Sequence, residues 1–188
     1  MTALAPTISD KFFPHVSSTV KDIFLIFAGS WFVAIFAQIE IPLQPVPITG
    51  QTFAVLLVGA LLGSKRGAIS MLTYLTQGGI GLPFFAGGAS GLGILTGATA
   101  GYLVGFVGAA YGVGLLAERG LERSVKTSII PFLIGTAIIY ACGVMWLSMV
   151  LGSFSQAVQL GILPFLIGDA LKLVAAAIAL PAAWKFVK

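Results

Sequence analysis

The sequence predicts an all-α integral membrane protein with six transmembrane helices, and two observations carry this prediction. First, 58% of the 188 residues are hydrophobic and only 9% are charged, whereas soluble domains average about 45–50% apolar and about 25% charged residues. Second, the apolar runs are unbroken, unlike the alternating segments of a membrane β-barrel. A single membrane domain over residues 1–188 follows from these two features.

The elements follow from the apolar runs in chain order. Residues 1–21 are polar, with two prolines and two lysines, and we expect a short surface segment without a cleavable signal peptide. The six helices are predicted at about 23–38, 52–62, 68–77, 94–117, 128–151 and 161–184. The second and third are short for a full span, which needs about 20 apolar residues. A broken or tilted element is therefore expected there.

Two of the connecting segments are irregular. Residues 40–51 contain three prolines and read as an extended loop, and the glycine-rich residues 78–93 suit a re-entrant or capping loop. In the fourth helix Gly97, Gly101, Gly105 and Ala109 recur every four residues. Such a ribbon of small residues predicts a close helix crossing.

The basic residues predict the topology. Nine of the ten lysines and arginines lie in the N-terminal segment, the second and fourth loops and the C-terminus, and the exception is Lys172. Six helices with both termini in the cytoplasm satisfy the positive-inside rule without violation. The loops 40–51, 78–93 and 152–160 then face outward, where we expect them to cap a ligand pocket.

Several functional motifs are excluded. Residues 112–117 match G-x-G-x-x-A by letter, but they end a helix and no strand precedes them, so they do not indicate a dinucleotide site. There is no Walker A motif, no cluster with metal-ligand spacing and no paired carboxylates for hydrolysis. Basic residues interleaved with aromatics, as nucleic-acid binding requires, are also missing. We therefore expect neither a cofactor nor a nucleic-acid partner.

Asp169 and Lys172 are the only charged residues well inside an apolar run. One charge at the centre of a membrane helix costs roughly 2.5–3.5 kcal/mol on insertion scales. At a spacing of three residues the two side chains share a helix face and can reach each other or a common ligand. Two interpretations stay open, an ion pair that locks the helix bundle and a recognition site for a small molecule.

Neutral polar and aromatic residues could complete such a site. Groups able to form hydrogen bonds near the outer side are Gln51, Tyr74, Gln77 and Ser90, and apolar walls could come from Phe53, Phe84 and Phe85. A ligand with an anionic end, a urea-like or amide-like end and an apolar middle would suit this set. For Tyr74 and Gln77, hydrogen bonding between helices is an equally good interpretation.

Four segments resemble the BioY family of biotin transporter subunits. They are the run from Ile41 to Leu57 (IPLQPVPITGQTFAVLL), GGIGLPFFAGG at 78–88, GATAGYLVGF at 97–106 and GDALK at 168–172. The resemblance covers nearly all of the chain from about residue 22. It implies the substrate-binding S component of an energy-coupling factor transporter, which captures biotin outside a bacterial cell membrane. Its energising partners would be a coupling transmembrane protein and ABC-type ATPases.

The resemblance also implies roles for individual residues. Lys172 would meet the biotin carboxylate and Asp169 the ureido N–H groups, with Gln51 and Tyr74 as further contacts. A small-residue face on the first helix, Ser30 and Ala34, resembles the face that S components present to the coupling protein. The chain departs from the family pattern at Ala98 and Ala100, where a proline and a glycine are expected. It also departs at Ala89 and Ser90, where relatives often carry a larger polar or basic residue.

Two other functions remain as alternatives to biotin capture by an S component. One is a stand-alone or proton-coupled carrier of another small carboxylic acid, with Asp169 titrating. The other is a membrane enzyme that uses Lys172 as base or nucleophile, although the sequence offers no further catalytic group. Measured substrate turnover, or uptake driven by a pH gradient, would favour one of these alternatives.

Overall fold

The computed structural model describes residues 18–186, apart from the side chains at 122, 126 and 182–186. The elements in chain order are α1 (Ser18–Ala37), β1 (Glu40–Ile41), β2 (Ile48–Thr49), α2 (Gln51–Leu62), α3 (Ser64–Gly79), a 3₁₀ turn (Ala86–Gly88), α4 (Leu92–Thr96), α5 (Ala100–Ala117), a second 3₁₀ turn (Leu121–Arg123), α6 (Val125–Leu151), α7 (Phe154–Gly161) and α8 (Leu166–Phe186). Helices therefore dominate the described part of the chain. The polar segment predicted at 1–21 lies outside this description except for its last four residues, which begin α1.

Three of the described helices are long and apolar enough to cross a membrane, namely α1, α5 and α6. The bent pair α7 and α8 provides a fourth crossing if the two are counted as one span. The apolar α2 has 12 residues, which at 1.5 Å per residue gives a length of only about 18 Å. This agrees with the predicted shortness of the second helix.

The predicted fourth helix at 94–117 is interrupted. The short α4 ends at Thr96, Gly97 has extended backbone with φ −79° and ψ −171°, and α5 begins at Ala100. The Gly97 carbonyl oxygen accepts a 3.1 Å hydrogen bond from the Ala100 N–H and a 2.9 Å hydrogen bond from the Trp146 indole N–H. A side chain from α6 thus adds a second hydrogen bond at the break, where unsatisfied backbone groups are costly at membrane depth.

The predicted sixth helix at 161–184 corresponds to α8 (Leu166–Phe186), which begins later in the chain than predicted. The chain forms α7, bends by 52° and continues as α8 from Leu166. The Tyr102 hydroxyl donates a 2.9 Å hydrogen bond to the carbonyl oxygen of Gly161, the last residue of α7. Asp169 consequently lies in the first turn of α8, where the positive end of the helix dipole favours a carboxylate.

Small residues set the close crossing of α5 and α6, as the ribbon predicted. A Cβ built on Gly101 would lie 2.3 Å from Cβ of Trp146, and one on Gly105 would lie 3.1 Å from Cα of Ile139. At the far end of α5, a Cβ on Gly114 would lie 2.3 Å from the backbone nitrogen of Ser64. These glycines therefore permit backbone contacts that any larger residue would block.

Strands β1 and β2 pair as a short antiparallel hairpin, and charged side chains join the helix ends that lie away from it. Asp22 near the start of α1 accepts a 2.7 Å charged hydrogen bond from Nε of Arg66 in α3. Glu118, next to the end of α5, accepts from both the backbone N–H (2.7 Å) and the hydroxyl (2.8 Å) of Ser64. The turn between α2 and α3 lies at this end of the bundle. Because the two helices are antiparallel, the start of α2 and the end of α3 lie together at the opposite end.

Candidate ligand-binding site

The described residues line a cavity of about 190 Å³ at the end of the helix bundle opposite Arg66. Its apolar lining is Val46, Pro47, Phe85, Ala86, Ala89, Ile94, Leu103, Phe106, Ile139 and Phe165, and its polar lining is Glu40, Thr49, Gln51, Thr52, Thr99, Tyr102, Tyr140, Asp169 and Lys172. Helices α2, α5, α6 and α8 form the walls. A largely apolar pocket with a few convergent polar groups is typical of a small-molecule site.

Asp169 and Lys172 both face this cavity and bond to each other. The Lys172 ammonium lies 2.8 Å from Oδ1 of Asp169, and the two side chains are 21% and 9% exposed. The low exposure means that both charges are largely removed from solvent. The pair therefore serves at once as an internal ion pair and as a bipolar patch on the cavity wall.

Lys172 also connects α8 to the hairpin and to α2. Its Nζ donates to the backbone carbonyl oxygen of Thr49 at 2.6 Å and to Oγ1 of Thr52 at 3.1 Å. An ammonium group has three N–H donors, and these two bonds together with the bond to Asp169 use all of them. A ligand atom that bonds directly to Lys172 must therefore replace or share one of these partners.

Two residues that the sequence analysis did not single out complete the surroundings of Asp169. The Tyr140 hydroxyl of α6 donates to Oδ2 at 2.6 Å, and the Thr52 hydroxyl of α2 donates to Oδ1 at 3.2 Å. Hydrogen bonds to an ionised carboxylate are stronger than neutral ones. Three helices thus converge on one carboxylate. A tyrosine within the apolar run of α6 was the available signal for Tyr140, whereas Thr52 had none beyond its position beside Gln51.

Gln51 lines the cavity and is oriented by its neighbours. Its side-chain oxygen accepts a 2.9 Å hydrogen bond from the Thr49 hydroxyl, and its Nε2 donates to the hydroxyl of Tyr74. Tyr74 is completely buried and in turn donates a 3.2 Å hydrogen bond to the carbonyl oxygen of Phe84. Tyr74 is therefore not part of the lining; it supports Gln51 and the segment that covers the cavity.

The other predicted site residues divide between lining and structure. Phe85 lines the cavity, with its ring against Gly78 and edge-on to Tyr74. Gln77 is not part of the lining, and its Oε1 accepts a 3.0 Å hydrogen bond from the hydroxyl of Ser30. Ser90 is exposed and outside the lining, while its neighbour Ala89 belongs to it. Gln77 thus shows the interhelical bonding that was its second interpretation.

The predicted partner face on α1 is turned inward. Ser30 and Ala34 are buried within this chain, and the bond from Ser30 to Gln77 joins α1 to α3. The small side chains therefore allow close packing of two helices in the same molecule. The outward face of α1 instead carries large apolar residues, among them Trp31 and Ile35, as expected for contact with lipid.

The cavity is covered by the β1–β2 hairpin and by the segment 82–89, and Gln38 holds this cover in place. Its side-chain N–H groups point to three backbone carbonyl oxygens, those of Ala34 (3.0 Å), Pro83 (3.4 Å) and Phe85 (3.3 Å). The residue that follows α1 thereby fixes the segment that places Phe85 over the cavity.

Fold and site together define a helical membrane protein with a covered small-molecule cavity, and no potential metal site occurs among the residues described. The model of the BioY family matches residues 9–188. The chain belongs to the BioY family. This agrees with the resemblance carried by the four sequence segments.

Individual relatives support the same assignment. The biotin transporter BioY of Thermotoga maritima is 40% identical over 154 residues, which is 82% of this chain and 86% of that protein. The biotin transporter BioY of Rhodobacter capsulatus is 47% identical over 107 residues, covering 54% of this chain and 56% of the relative. The crystal structure of the S-component for biotin from an ECF-type ABC transporter superposes with a TM-score of 0.80 at 25% identity, covering 90% of this chain and 95% of that one. The relatives are transporters, not enzymes.

Proposed function

We propose that this chain is the substrate-binding S component of a biotin uptake transporter. It captures biotin at the outer side of a bacterial plasma membrane and releases it to the cytoplasm. The observation that carries the proposal is the covered cavity in which Asp169, Lys172, Tyr140 and Thr52 converge beside an apolar wall. The names of the relatives and of the matching crystal structure give the ligand its identity.

The bond between Asp169 and Lys172 changes the ligand contacts that the family resemblance implied, in which the two residues would meet opposite ends of biotin. The ureido ring and the carboxylate of biotin lie at opposite ends of the molecule, separated by a valeryl chain, whereas the two side chains are bonded at 2.8 Å. One ligand end therefore meets both. A cyclic urea presents N–H donors beside a carbonyl acceptor, which complements a carboxylate beside an ammonium. The apolar lining then surrounds the thiophane ring and the chain.

The arrangement of the helices supports six membrane spans. They are α1, α2, α3, the interrupted α4–α5, α6 and the bent α7–α8. The contacts of Arg66 with Asp22 and of Ser64 with Glu118 bring the basic second and fourth loops to one end. The positive-inside rule assigns this end to the cytoplasm, which leaves the cavity on the outer side and both termini inside.

A separate coupling membrane protein and ABC-type ATPases supply the energy in this proposal. Among the residues described there is no ATPase domain, and biotin enters as cargo, not as a cofactor. The partners are thus the vitamin, the surrounding lipid and the energising subunits.

Equilibrium binding to the purified, detergent-solubilised chain tests the function. Wild-type protein is expected to bind biotin, with at least a hundredfold loss in Asp169→Asn, because a site built for hydrogen bonds rejects a mismatched partner strongly. Asp22→Asn removes a carboxylate from the opposite end and serves as the matched control, with unchanged affinity. Undetectable binding by wild type, or an equal loss in both variants, would refute the proposal.

A further inference from the structure

Thr99 carries a hydroxyl in the cavity lining that the proposed binding of the ureido ring does not use. It immediately precedes α5 and is half-buried. A threonine at the N-cap of a helix commonly accepts a hydrogen bond from a backbone N–H two or three residues later, but the side chain of Thr99 makes no such bond. Within the described part of the chain this hydroxyl has no other hydrogen-bond partner. It is therefore free to bond a ligand.

The other donors of the lining already serve the protein. The remaining hydroxyl groups each donate to a protein acceptor, and they belong to Thr49, Thr52, Tyr102 and Tyr140. The N–H groups of Lys172 are all bonded, and the amide of Gln51 donates to Tyr74. The ionised carboxylates of Glu40 and Asp169 accept hydrogen bonds but donate none. Among the described lining residues, Thr99 thus has the one hydroxyl without a protein acceptor.

Contacts between α5 and α6 show how far Thr99 lies from the ion pair. Tyr140 marks the level of Asp169 on α6, because its hydroxyl bonds that carboxylate at 2.6 Å. One turn further along α6, a Cβ built on Gly143 would lie 2.3 Å from the ring of Tyr102. Thr99 precedes Tyr102 by one turn of α5, so it lies a further turn away from Asp169.

Trp146 gives this separation a length. Its indole N–H bonds the carbonyl oxygen of Gly97 at 2.9 Å, and a Cβ built on Gly101 would lie 2.3 Å from its Cβ. These two glycines flank Thr99, which is therefore level with Trp146. Tyr140 and Trp146 are six residues apart in the same helix, and at 1.5 Å per residue this is about 9 Å along the bundle.

The lining between these two levels is aromatic and apolar. Phe165 precedes Asp169 by one turn of α8, and its ring centroid is 6.5 Å from that of Tyr102. With the ureido ring at Asp169 and Lys172, the extended valeryl chain follows this wall and brings the carboxylate of the ligand toward Thr99. Lys172 is the only cationic residue in the described lining, and it lies at the other end. A carboxylate removed from water needs a hydrogen-bond donor.

We propose that Thr99 is a specificity-determining residue whose hydroxyl donates a hydrogen bond to the far carboxylate of the bound vitamin. The bond favours the free acid over ligands with an apolar end, because a hydrogen bond to an ionised acceptor is stronger than a neutral one. The inference rests on the proposed function, since it takes the ureido ring as bound by Asp169 and Lys172. It assigns the acid end of the ligand to a neutral group of the protein.

The test compares two probes on the purified, detergent-solubilised chain: biotin and an analogue in which a methyl group replaces the carboxyl group. Thr99→Val removes the hydroxyl and keeps the shape of the side chain. Its affinity for biotin is expected to fall about tenfold, which corresponds to ~1.4 kcal/mol, whereas its affinity for the methyl analogue should equal that of wild type. Thr99→Ser keeps the hydroxyl and should bind biotin as wild type. Thr96→Val is the matched control, because the Thr96 hydroxyl bonds the carbonyl oxygen of Gly93 and Thr96 is outside the lining.

Unchanged biotin affinity in Thr99→Val, or an equal loss for both probes, overturns the inference while leaving biotin binding by wild type intact. A loss in Thr99→Ser as large as that in Thr99→Val also contradicts it, because the hydroxyl would then not be the group that matters. Failure of wild type to bind biotin refutes the proposed function and the inference with it. Should Thr99→Val not fold, Thr99→Ala removes the same hydroxyl and is judged with the same two probes.

Discussion

The hydroxyl of Tyr140 lies 2.6 Å from Oδ2 of Asp169, so a residue of α6 fixes the carboxylate at the start of α8. Lys172 and Thr52 engage the other oxygen. With Oδ1 occupied by two donors, Oδ2 is the oxygen whose direction toward a ligand depends on Tyr140. This makes Tyr140 a positioning residue of the proposed site.

Removing that hydroxyl should therefore weaken ligand binding more than it affects the fold. In Tyr140→Phe we expect biotin affinity to fall about tenfold or more, because a hydrogen bond to a charged group contributes about 1.5–3 kcal/mol. Isothermal titration of the purified protein measures the change. Tyr111→Phe, at an exposed tyrosine of α5, is the control and should bind as wild type. Equal affinity of the two variants would show that Tyr140 does not position Asp169.

The contribution of the Asp169–Lys172 pair to the stability of the fold can be measured separately from its contribution to ligand binding. Each single change, Asp169→Asn or Lys172→Met, leaves the remaining charged group largely buried and without its counter-ion. We expect each change to lower the free energy of unfolding by about 1–3 kcal/mol. The double variant should cost clearly less than the sum of the two, with a coupling energy of about 1 kcal/mol or more. Denaturant titration in detergent measures these values.

The pair Asp22–Arg66 provides a matched comparison for this cycle. Its carboxylate is 40% exposed, and the coupling of solvent-exposed pairs is about 0–1 kcal/mol. The same double-mutant cycle, with Asp22→Asn and Arg66→Met, is expected to give the smaller value. If the two pairs show equal coupling, the burial of Asp169 and Lys172 does not strengthen their interaction.

The buried Tyr74 should matter for stability because its hydroxyl links two polar groups. In Tyr74→Phe the Nε2 of Gln51 and the carbonyl oxygen of Phe84 lose their shared partner. Leaving buried polar groups unsatisfied costs about 1–3 kcal/mol, so the denaturation midpoint should fall. Tyr111→Phe again serves as control. An unchanged midpoint would mean that other groups replace the missing hydroxyl.

The bend between α7 and α8 offers a test with two glycines, one at the end of α7 and one within α8. A Cβ on Gly161 would lie 2.2 Å from the hydroxyl oxygen of Tyr102, whereas one on Gly168 meets nothing within 4 Å. Gly161→Ala is therefore expected to break the bond from Tyr102 and to lower the thermal midpoint by several degrees. Gly168→Ala should be neutral or slightly stabilising, because alanine is the better helix former. The opposite order of midpoints would contradict the role given to Tyr102.

The sequence predicted the positions of the helices better than the breaks within them. The apolar runs placed the helices within a few residues for α1, α2 and α6. The breaks at Gly97 and after Gly161 were missed because membrane helices tolerate glycine, so a glycine within an apolar run does not by itself predict that a helix ends there. At these two breaks Trp146 and Tyr102 donate hydrogen bonds to the carbonyl oxygens of Gly97 and Gly161. Partners so distant in sequence cannot be found from local pattern.

The sequence predicted the charged residues of the candidate site better than its neutral polar residues. Charge inside an apolar run is rare enough to single out Asp169 and Lys172, and both line the cavity together with Gln51 and Phe85. Neutral polar residues are ambiguous, because a hydroxyl or amide in an apolar helix can serve a ligand or a neighbouring helix. Gln77 bonds Ser30, while Tyr140 and Thr52 bond Asp169. Only their placement in space separates these cases.

The hydrogen bonds of Gln38 link the position of the end of α1 to the segment that covers the cavity. The described residues of α1 contribute no side chain to the cavity lining, yet the amide just beyond its last turn bonds the backbone beside Phe85. A sideways displacement of this helix end by more than about 1 Å takes the bonds to Pro83 and Phe85 beyond hydrogen-bonding range. The shape of the binding space thus depends on a helix that the bound molecule would never touch.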